Sequence, residues 1–196
     1  MKKDIDFLFE IGKMRFLQRT WQRFFLTNIA NDAEHTFRVM WLALIIANNE
    51  KAINQGKLLK LALMHDITES RTGDVDYLSR LYAKREGLLA IRDMLKNTSI
   101  EKEFMELFQE NEKKETIEAQ IVKDADNLDI DMELMEQRDA NEKIFKLKSE
   151  ARKKIIPQKL FTNTAKKMFK KIYSADINSW HFNSENNRFK TGDWKK

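Results

Sequence analysis

Glycine and proline, the residues that most often break regular structure, are nearly absent from this chain. Its 196 residues include five glycines and one proline, and they are rich in Leu, Met, Lys and Glu. Long stretches that lack turn residues and are filled with good helix formers favour helices over sheets. The sequence therefore predicts an all-α fold, with no clear strand and no internal repeat.

Hydrophobic periodicity predicts where the helices lie. Ile5, Leu8 and Phe9 share one helical face, and Asn31 or Asp32 can cap the next helix. The predicted helices cover roughly residues 5–12, 32–46, 57–68, 76–95 with Gly87 as a break point, 100–108, 116–136 and 164–173, the last separated by Pro157 from the segment before it.

The composition is that of one globular domain. Hydrophobic residues make up 42% and charged residues 34% of the chain, which excludes an intrinsically disordered class. The absence of cysteine excludes disulfides, thiolate metal sites and cysteine nucleophiles. We expect one helical domain over residues 1–175 and a tail over residues 176–196.

The net charge of +5 is unevenly distributed along the chain. Residues 143–171 contain eleven Lys or Arg and one acidic residue, Glu150, whereas residues 124–136 are acidic. A solvated helical face is the favoured interpretation of the basic stretch, and a surface for nucleic acid or phosphate is the alternative.

No segment of the sequence predicts export or membrane insertion. The N-terminal residues MKKD lack the apolar stretch of a signal peptide. The longest apolar run, residues 39–47, is too short to cross a bilayer. We therefore expect a cytoplasmic protein without a membrane segment.

Two of the three histidines stand beside carboxylates, in Glu34-His35 and His65-Asp66. On a continuous helix, His65, Asp66 and Glu69 would face one site. Each residue alone is more simply explained as a core histidine or a solvated charge. Together they favour a divalent metal, because imidazole and carboxylate are costly to bury in an apolar stretch without a partner. A further ligand would come from the helix at 116–136, which offers Asp124, Asp126, Asp129 and Asp131.

Four short motifs resemble those of the HD-domain metal phosphohydrolase superfamily and, more closely, of its 5′-deoxynucleotidase family. They are Arg19-Thr20-Trp21 for R-x(x)-W, residues 33–35 for A-E-H, residues 65–74 (HDITESRTGD) for HD-x-x-E-x-x-x-GD, and residues 122–128 (VKDADNL) for V-K-x-A-D-x-L. Glu86 fits a further acidic position of that family. The resemblance covers about residues 5–140 and implies a helical bundle with the metal site in its core.

The resemblance also implies a role for each motif residue. One divalent ion, whether Mn²⁺, Co²⁺, Fe²⁺, Zn²⁺ or Ni²⁺, would be bound by His35, His65, Asp66 and Asp126. Glu69 and Asp74 would handle the attacking water and the leaving 5′-oxygen, and Asp74 would also contact the substrate. Arg19 would hold the phosphate and Trp21 the sugar or base, although Trp21 fits a packing role equally well. Asp32 departs from the family, which has a small apolar residue there.

The resemblance implies that residues 1–175 form an HD-domain phosphohydrolase. Its reaction would be metal-dependent release of phosphate from (deoxy)nucleoside 5′-monophosphates, and its assembly a homodimer. A neighbouring alternative is an HD phosphohydrolase acting on nucleoside triphosphates or alarmones. An alternative of a different class is a basic helical nucleic-acid-binding protein using residues 143–171. Glu69 and Asp74 weigh against that class, because a binding module has no need of them.

Overall fold

The computed structural model describes residues 1–25 and 27–184, and confirms the all-α prediction. The described residues form no strand, and Gln18 and Asn31 make one isolated β-bridge. The α-helices are α1 (Lys2–Ile11), α2 (Gln22–Phe25), α3 (Asp32–Ala47), α4 (Gln55–Met64), α5 (Glu69–Thr72), α6 (Gly87–Leu95), α7 (Glu101–Lys113), α8 (Ile117–Glu136), α9 (Glu142–Lys159), α10 (Asn163–Ile172) and α11 (Ser179–Phe182), with single 3-10 turns at Met14–Phe16 and Ser79–Leu81.

Helices α3, α4 and α8 form the centre of the bundle. Each packs against the other two, while α9 and α10 pack on α8 and α7 packs on α4. Val39, Leu61 and Leu128 are completely buried where the three central helices meet. Since apolar burial is the main favourable contribution to folding, these three helices form a firm frame for any side chain that points inward from them.

The sequence left two candidates for the N-cap of helix α3. Asn31, rather than Asp32, is the N-cap: its side chain accepts a hydrogen bond from the Glu34 backbone N–H at 3.0 Å. The Glu34 carboxylate in turn accepts from the Asn31 backbone N–H at 3.0 Å, which completes a capping box. This reciprocal pair fixes the first turn of α3, which includes His35.

The helix predicted over residues 57–68 ends earlier than expected. α4 stops at Met64, residues 65–68 form turns, and α5 starts at Glu69. In this stretch the backbone bonds join residues three apart, as from Ile67 N–H to the Met64 carbonyl at 3.2 Å and from Glu69 N–H to the Asp66 carbonyl at 2.9 Å. This tighter winding changes the direction of the chain beneath His65 and Asp66.

The predicted break at Pro157 is also wrong. Pro157 lies inside α9, which continues through it and ends two residues later at Lys159. The chain turns instead after Leu160, where the Asp124 side chain accepts hydrogen bonds from the backbone N–H groups of Phe161 and Thr162, both at 2.8 Å.

The first helix is present, but its predicted apolar face is not the buried one. Ile5, Leu8 and Phe9 are exposed, and Phe7 is the buried residue of α1. Of the predicted tail, residues 179–182 form the short helix α11, and residues 185–196 lie outside the described residues. Among the helices that the structure describes, none is long and apolar enough to cross a membrane.

Candidate metal centre

Four side chains from three parts of the bundle converge on one point. His35 comes from α3, His65 and Asp66 from the turn after α4, and Asp126 from α8. One nitrogen or carboxylate oxygen of each lies within 4.8 Å of those of the others. The two Nε2 atoms are 3.3 Å apart, and His35 Nε2 is 3.4 Å from the Asp126 Oδ1. This is the spacing of ligands around a single ion.

The other nitrogen of each imidazole is already bonded. His65 Nδ1 lies 2.8 Å from the Ala62 carbonyl, which can only accept, so this nitrogen is the donor. His35 Nδ1 lies 2.5 Å from Asp129 Oδ2. Both rings are thereby oriented with Nε2 towards the cluster, ready for an ion or a proton. The donor set of two imidazoles and two carboxylates fits a divalent transition metal.

Without a cation, the carboxylates of the cluster draw protons onto the two imidazoles. Burial opposes this, but hydrogen bonds to Asp126, Asp129 and Asp66 raise the pKa of His35 well above its ordinary value. Asp126 shows the reverse: burial opposes the shift, yet the Lys123 ammonium and both histidines hold its pKa well below the usual range. A divalent ion would take the place of these protons.

The other aspartates of α8 have structural partners. Asp124 holds the start of α10, as described above, and its Oδ2 also accepts from the Thr162 hydroxyl at 2.8 Å. Asp129 accepts from His35 and from Arg38, and Asp131 accepts from Arg152 at 2.6 and 2.9 Å. Asp126 is therefore the aspartate of α8 that joins the four-residue cluster. Asp129, three residues later on the same face, orients the ring of His35.

Two further acidic residues near the cluster have raised pKa values, although Arg85 opposes the shift at Glu69. Burial, with the nearby charges of Asp66, Asp74 and Asp32, raises the pKa of Glu69 from 4.5 to about 9. Burial and the charges of Asp66 and Asp74 raise the pKa of Asp32 to about 7. The buried Oδ2 of Asp32 has no hydrogen-bond partner in the described part of the chain. Both carboxyls are therefore held partly or mainly protonated at neutral pH.

Asp74, Arg19 and Trp21 all have partners in the protein. Asp74 Oδ2 accepts hydrogen bonds from the backbone N–H and hydroxyl of Thr20, both at 2.8 Å. Arg19 is 7% exposed, and its Nη1 lies 3.1 Å from Glu133 Oε2 and 3.4 Å from Asp129 Oδ2. Trp21 stacks on Phe25, with the ring centroids 5.8 Å apart.

One cleft of about 1320 Å³ runs over the cluster. His65, Asp66 and Asp126 line it, together with all the side chains predicted to act on a substrate, which are Arg19, Trp21, Glu69 and Asp74. His35 lies beneath them, 1% exposed. The walls are basic and include Arg80, Arg85, Lys113, Lys114, Lys123, Lys148, Arg152 and Lys159. Part of the basic stretch at 143–171 therefore faces this cleft, which suits a small anionic ligand.

The sequence analysis assigned no role to two of the cleft's cations, Lys123 and Arg85. Lys123 Nζ lies 2.7 Å from Asp126 Oδ2, and its place three residues before Asp126 on one helix was a readable signal. Arg85 Nη1 lies 2.5 Å from Glu69 Oε1. Arg85 precedes α6 in an irregular segment and is separated from Glu69 by sixteen positions, so periodicity offered no signal for this pair.

The sequence is similar to those of known proteins. The family model described as "HD domain" matches residues 11–168. A 5′-deoxynucleotidase HDDC2 of Danio rerio is 28% identical over 66% of this chain and 67% of its own length. A 5′-deoxynucleotidase hdd1 of Schizosaccharomyces pombe is 30% identical over 67% of this chain and 71% of its own length.

Solved structures share the fold. A conserved hypothetical protein of Pyrococcus furiosus is 26% identical, with a TM-score of 0.73 over 87% of this chain and 99% of its own. A predicted metal-dependent phosphohydrolase of Magnetospirillum magnetotacticum is 20% identical, with a TM-score of 0.72 over 88% of this chain and 90% of its own. The second likeness concerns the fold alone.

Proposed function

Because the chain belongs to the HD domain family, we propose that it is a metal-dependent phosphomonoesterase that hydrolyses (deoxy)nucleoside 5′-monophosphates to nucleoside and phosphate. Family membership makes it a hydrolase of the HD phosphatase type. The observation that carries the substrate proposal is the meeting of the four-residue cluster with Glu69 and Asp74 in one basic cleft. The names of the similar 5′-deoxynucleotidases support the same substrate class.

In this proposal, His35, His65, Asp66 and Asp126 hold one divalent ion, with Mn²⁺, Co²⁺, Fe²⁺, Zn²⁺ and Ni²⁺ as the candidates. When bound, that ion would polarise the phosphoryl group and acidify a water. Asp129 serves the site indirectly, since its carboxylate accepts from His35 Nδ1 and fixes the direction of the ring.

Glu69 and Asp74 divide the proton transfers. Burial and the neighbouring acidic charges raise the pKa of Glu69, which favours a protonated carboxyl that can donate to the leaving 5′-oxygen as the ester bond breaks. Asp74 has one oxygen fixed by Thr20, which leaves the other to orient the attacking water or a sugar hydroxyl. Two carboxyls in different environments can therefore serve as acid and as acceptor in one reaction.

Arg19 and Trp21 are the proposed substrate contacts at the end of the cleft where Lys148 lies. Arg19 is a positive charge held in place by Glu133 and Asp129, which suits it to attract a phosphate without moving. The Trp21 ring has Phe25 on one side and Lys148 Nζ at 5.4 Å from its centroid. A nucleobase or sugar can pack beside it.

A panel of nucleotides tests this function. Metal-free protein given Mn²⁺ or Co²⁺ should release inorganic phosphate from dAMP, dGMP and dTMP. It should release neither pyrophosphate nor tripolyphosphate from the matching triphosphates. Release of pyrophosphate or tripolyphosphate would assign the chain to the HD phosphohydrolases that act on triphosphates or alarmones. If the protein released phosphate from no ester, the proposed function would be contradicted.

We also propose a homodimer in which α3 packs against α3 of a second copy. Phe37, Trp41 and Ile45 lie one turn apart on the outer face of α3, exposed by 65%, 56% and 51%. A helix that is apolar on both faces is usually buried on both. In an antiparallel pair related by a two-fold axis, Glu34 near the start of one α3 would approach Lys51 after the end of the other.

Light scattering tests this assembly. The wild-type protein should have the mass of two chains, and Trp41→Arg should give monomers because it places a charge at the centre of the interface. Leu147→Arg on α9, where the leucine is 63% exposed, should leave the mass unchanged. A monomeric wild type would contradict the proposed dimer.

We propose residues 1–175 as the catalytic unit and the cytoplasm as its compartment. The family model ends at residue 168, close to the proposed boundary, and α10 ends at Ile172. A chain without cysteine is compatible with a reducing compartment. Full activity of a chain shortened to residues 1–175 would support the boundary, and cell fractionation would test the location.

A further inference from the structure

Arg85 is placed differently from the other cations of the cleft nearest the metal cluster. Arg19 is held by Glu133 and Asp129, and Arg152 by Asp131, which are carboxylates that do not line the cleft. Lys123 pairs with Asp126, a proposed metal ligand. Arg85 instead contacts Glu69, a carboxyl that lines the cleft and is not one of the proposed ligands.

The Arg85 guanidinium keeps most of its donors for another partner. Among the described residues it donates through Nη1 alone, to Glu69 Oε1 at 2.5 Å. An arginine carries five N–H donors in a planar fork. The Arg85 side chain is 30% exposed, whereas that of Glu69 is 9% exposed, so the remaining edge of the fork lies on the open side of the pair.

The backbone holds Arg85 beside the cluster. Gly87, two residues later, begins α6, and a Cβ added there would lie 3.9 Å from the Thr68 hydroxyl. Thr68 follows the metal-binding pair His65-Asp66 by two residues and also lines the cleft. The start of α6 is thus packed against the turn that carries the proposed ligands. The segment from Ala83 to Glu86 has no regular secondary structure, which leaves the Arg85 side chain room to adjust.

We infer that Arg85 is a phosphate-binding residue that bridges Glu69 and a non-bridging oxygen of the phosphoryl group. This inference rests on the proposed function and adds a second arginine of the cleft to Arg19. A guanidinium can hold a carboxylate with one edge and a phosphate oxygen with the other. The same contact would position the Glu69 carboxyl next to the ester that it protonates.

Binding of inorganic phosphate to the Mn²⁺-loaded protein, measured by titration calorimetry, tests the inference without requiring turnover. Arg85→Gln should weaken phosphate binding about tenfold or more, since it removes one charge-assisted hydrogen bond. Arg85→Lys should recover part of the loss, because the charge is kept without the fork. The matched control is Arg80→Gln: Arg80 lines the same cleft but donates Nε to the Val75 carbonyl.

Bound manganese and circular dichroism, measured for each variant, would show that the site and fold are intact. A phosphate affinity of Arg85→Gln within twofold of wild type would overturn the inference, as would wild-type protein that binds no phosphate. Equal losses of phosphate affinity in Arg80→Gln and Arg85→Gln would overturn it too, because they would indicate only the positive electrostatic potential of the cleft. Phosphate binding that depends on Arg85 in a protein that hydrolyses no nucleotide would leave this inference standing and remove the proposed function alone.

Discussion

Asp124 and Asp126 stand two residues apart on α8 and have different tasks. Asp124 is fully buried and satisfies the first N–H groups after α9, whereas Asp126 points to the metal cluster. The identity of a carboxylate therefore says little about its role. The direction in which the helix turns it decides whether it stabilises a helix start or binds an ion.

Replacing each aspartate by alanine should separate the two tasks. Asp126→Ala should abolish metal binding, because it removes one of four ligands. Asp124→Ala should bind metal normally but lose about 2–4 kcal/mol of unfolding free energy, because one buried and one partly buried N–H group lose their acceptor. Metal content by mass spectrometry and urea unfolding would measure both effects. Equal metal content in the two variants would contradict the assignment.

Glu69 should make the metal-free protein less stable as the pH rises. Its pKa is raised from 4.5 to about 9 in the folded state, so the unfolded chain loses the proton first. The stability contributed by the protonated form is complete below about pH 4.5 and is lost as the pH rises towards 9. As the pH is raised from 5.5 to 8.5, the free energy of unfolding of Glu69→Gln should therefore rise relative to that of the wild type, as measured by urea unfolding.

The matched control for this pH dependence is Glu103→Gln, because Glu103 is an exposed residue of α7 paired with Lys60. Its stability difference from wild type should stay nearly constant between the two pH values, since an exposed ion pair is weak. A constant difference for Glu69→Gln as well would show that Glu69 titrates normally.

At the scale of the elements, the turn between α4 and α5 and the residues that follow it build the site. Residues 65–68 wind more tightly than an α-helix, and Gly73 then ends α5 at φ +71° and ψ 157°. That conformation is open mainly to glycine, and it turns the chain so that Asp74 reaches Thr20. One short segment thus supplies two of the proposed ligands and both carboxyls that are proposed to move protons.

Gly73→Ala should therefore be costly although no atom stands within 4 Å of the added Cβ. The expected loss is about 1–3 kcal/mol of unfolding free energy, from backbone strain alone, with weaker activity as Asp74 shifts. Gly56→Ala lies in the first turn of α4, where alanine fits a helix, and should be neutral or stabilising by up to about 1 kcal/mol. A harmless Gly73→Ala would contradict this account of the turn.

The sequence predicted the helices better than it predicted where they end and how they are connected. The positions of α3, α4, α8 and α10 and the capping of α3 followed from periodicity and from Asn31, because both are local properties. The helix predicted over residues 76–95 was wrong before Gly87, because residues 73–86 contain one 3-10 turn and no α-helix. The early end of α4 was missed because bonds between residues three apart leave no mark on an apolar pattern. Pro157 was misread as a helix boundary, whereas α9 continues through it to Lys159. The choice of Asp126 needed a family motif, and Arg85 could not be found because its pairing with Glu69 depends on how α6 packs.

At the scale of the whole molecule, the cleft joins an acidic floor to basic walls. The floor binds protons or a cation, and the walls draw anions towards it. Helix α9, which carried an unexplained basic stretch, contributes Lys148, Arg152 and Lys159 to these walls. The overall charge of +5 is thus partly a property of the site and not only of the solvated surface.

Metal should stabilise the whole fold, and more strongly at higher pH. The raised pKa of His35 means that protons compete with the ion for Nε2, so the affinity for metal should fall as the pH falls. The rise in melting temperature on adding Mn²⁺ should therefore be larger at pH 8.5 than at pH 6. Asp126→Ala should show no rise at either pH. A rise in melting temperature of the same size at both pH values would contradict a cluster in which protons compete with the metal.

Metal-dependent hydrolysis at this site can be measured as phosphate release from dAMP while Mn²⁺ is titrated into metal-free protein. Activity should rise in step with bound metal in the wild-type protein. Asp126→Ala should stay inactive throughout, and Asp124→Ala, assayed below its lowered melting temperature, should follow the wild type. Activity that is independent of bound metal, or equal in wild type and Asp126→Ala, would contradict a metal-dependent phosphomonoesterase at this site.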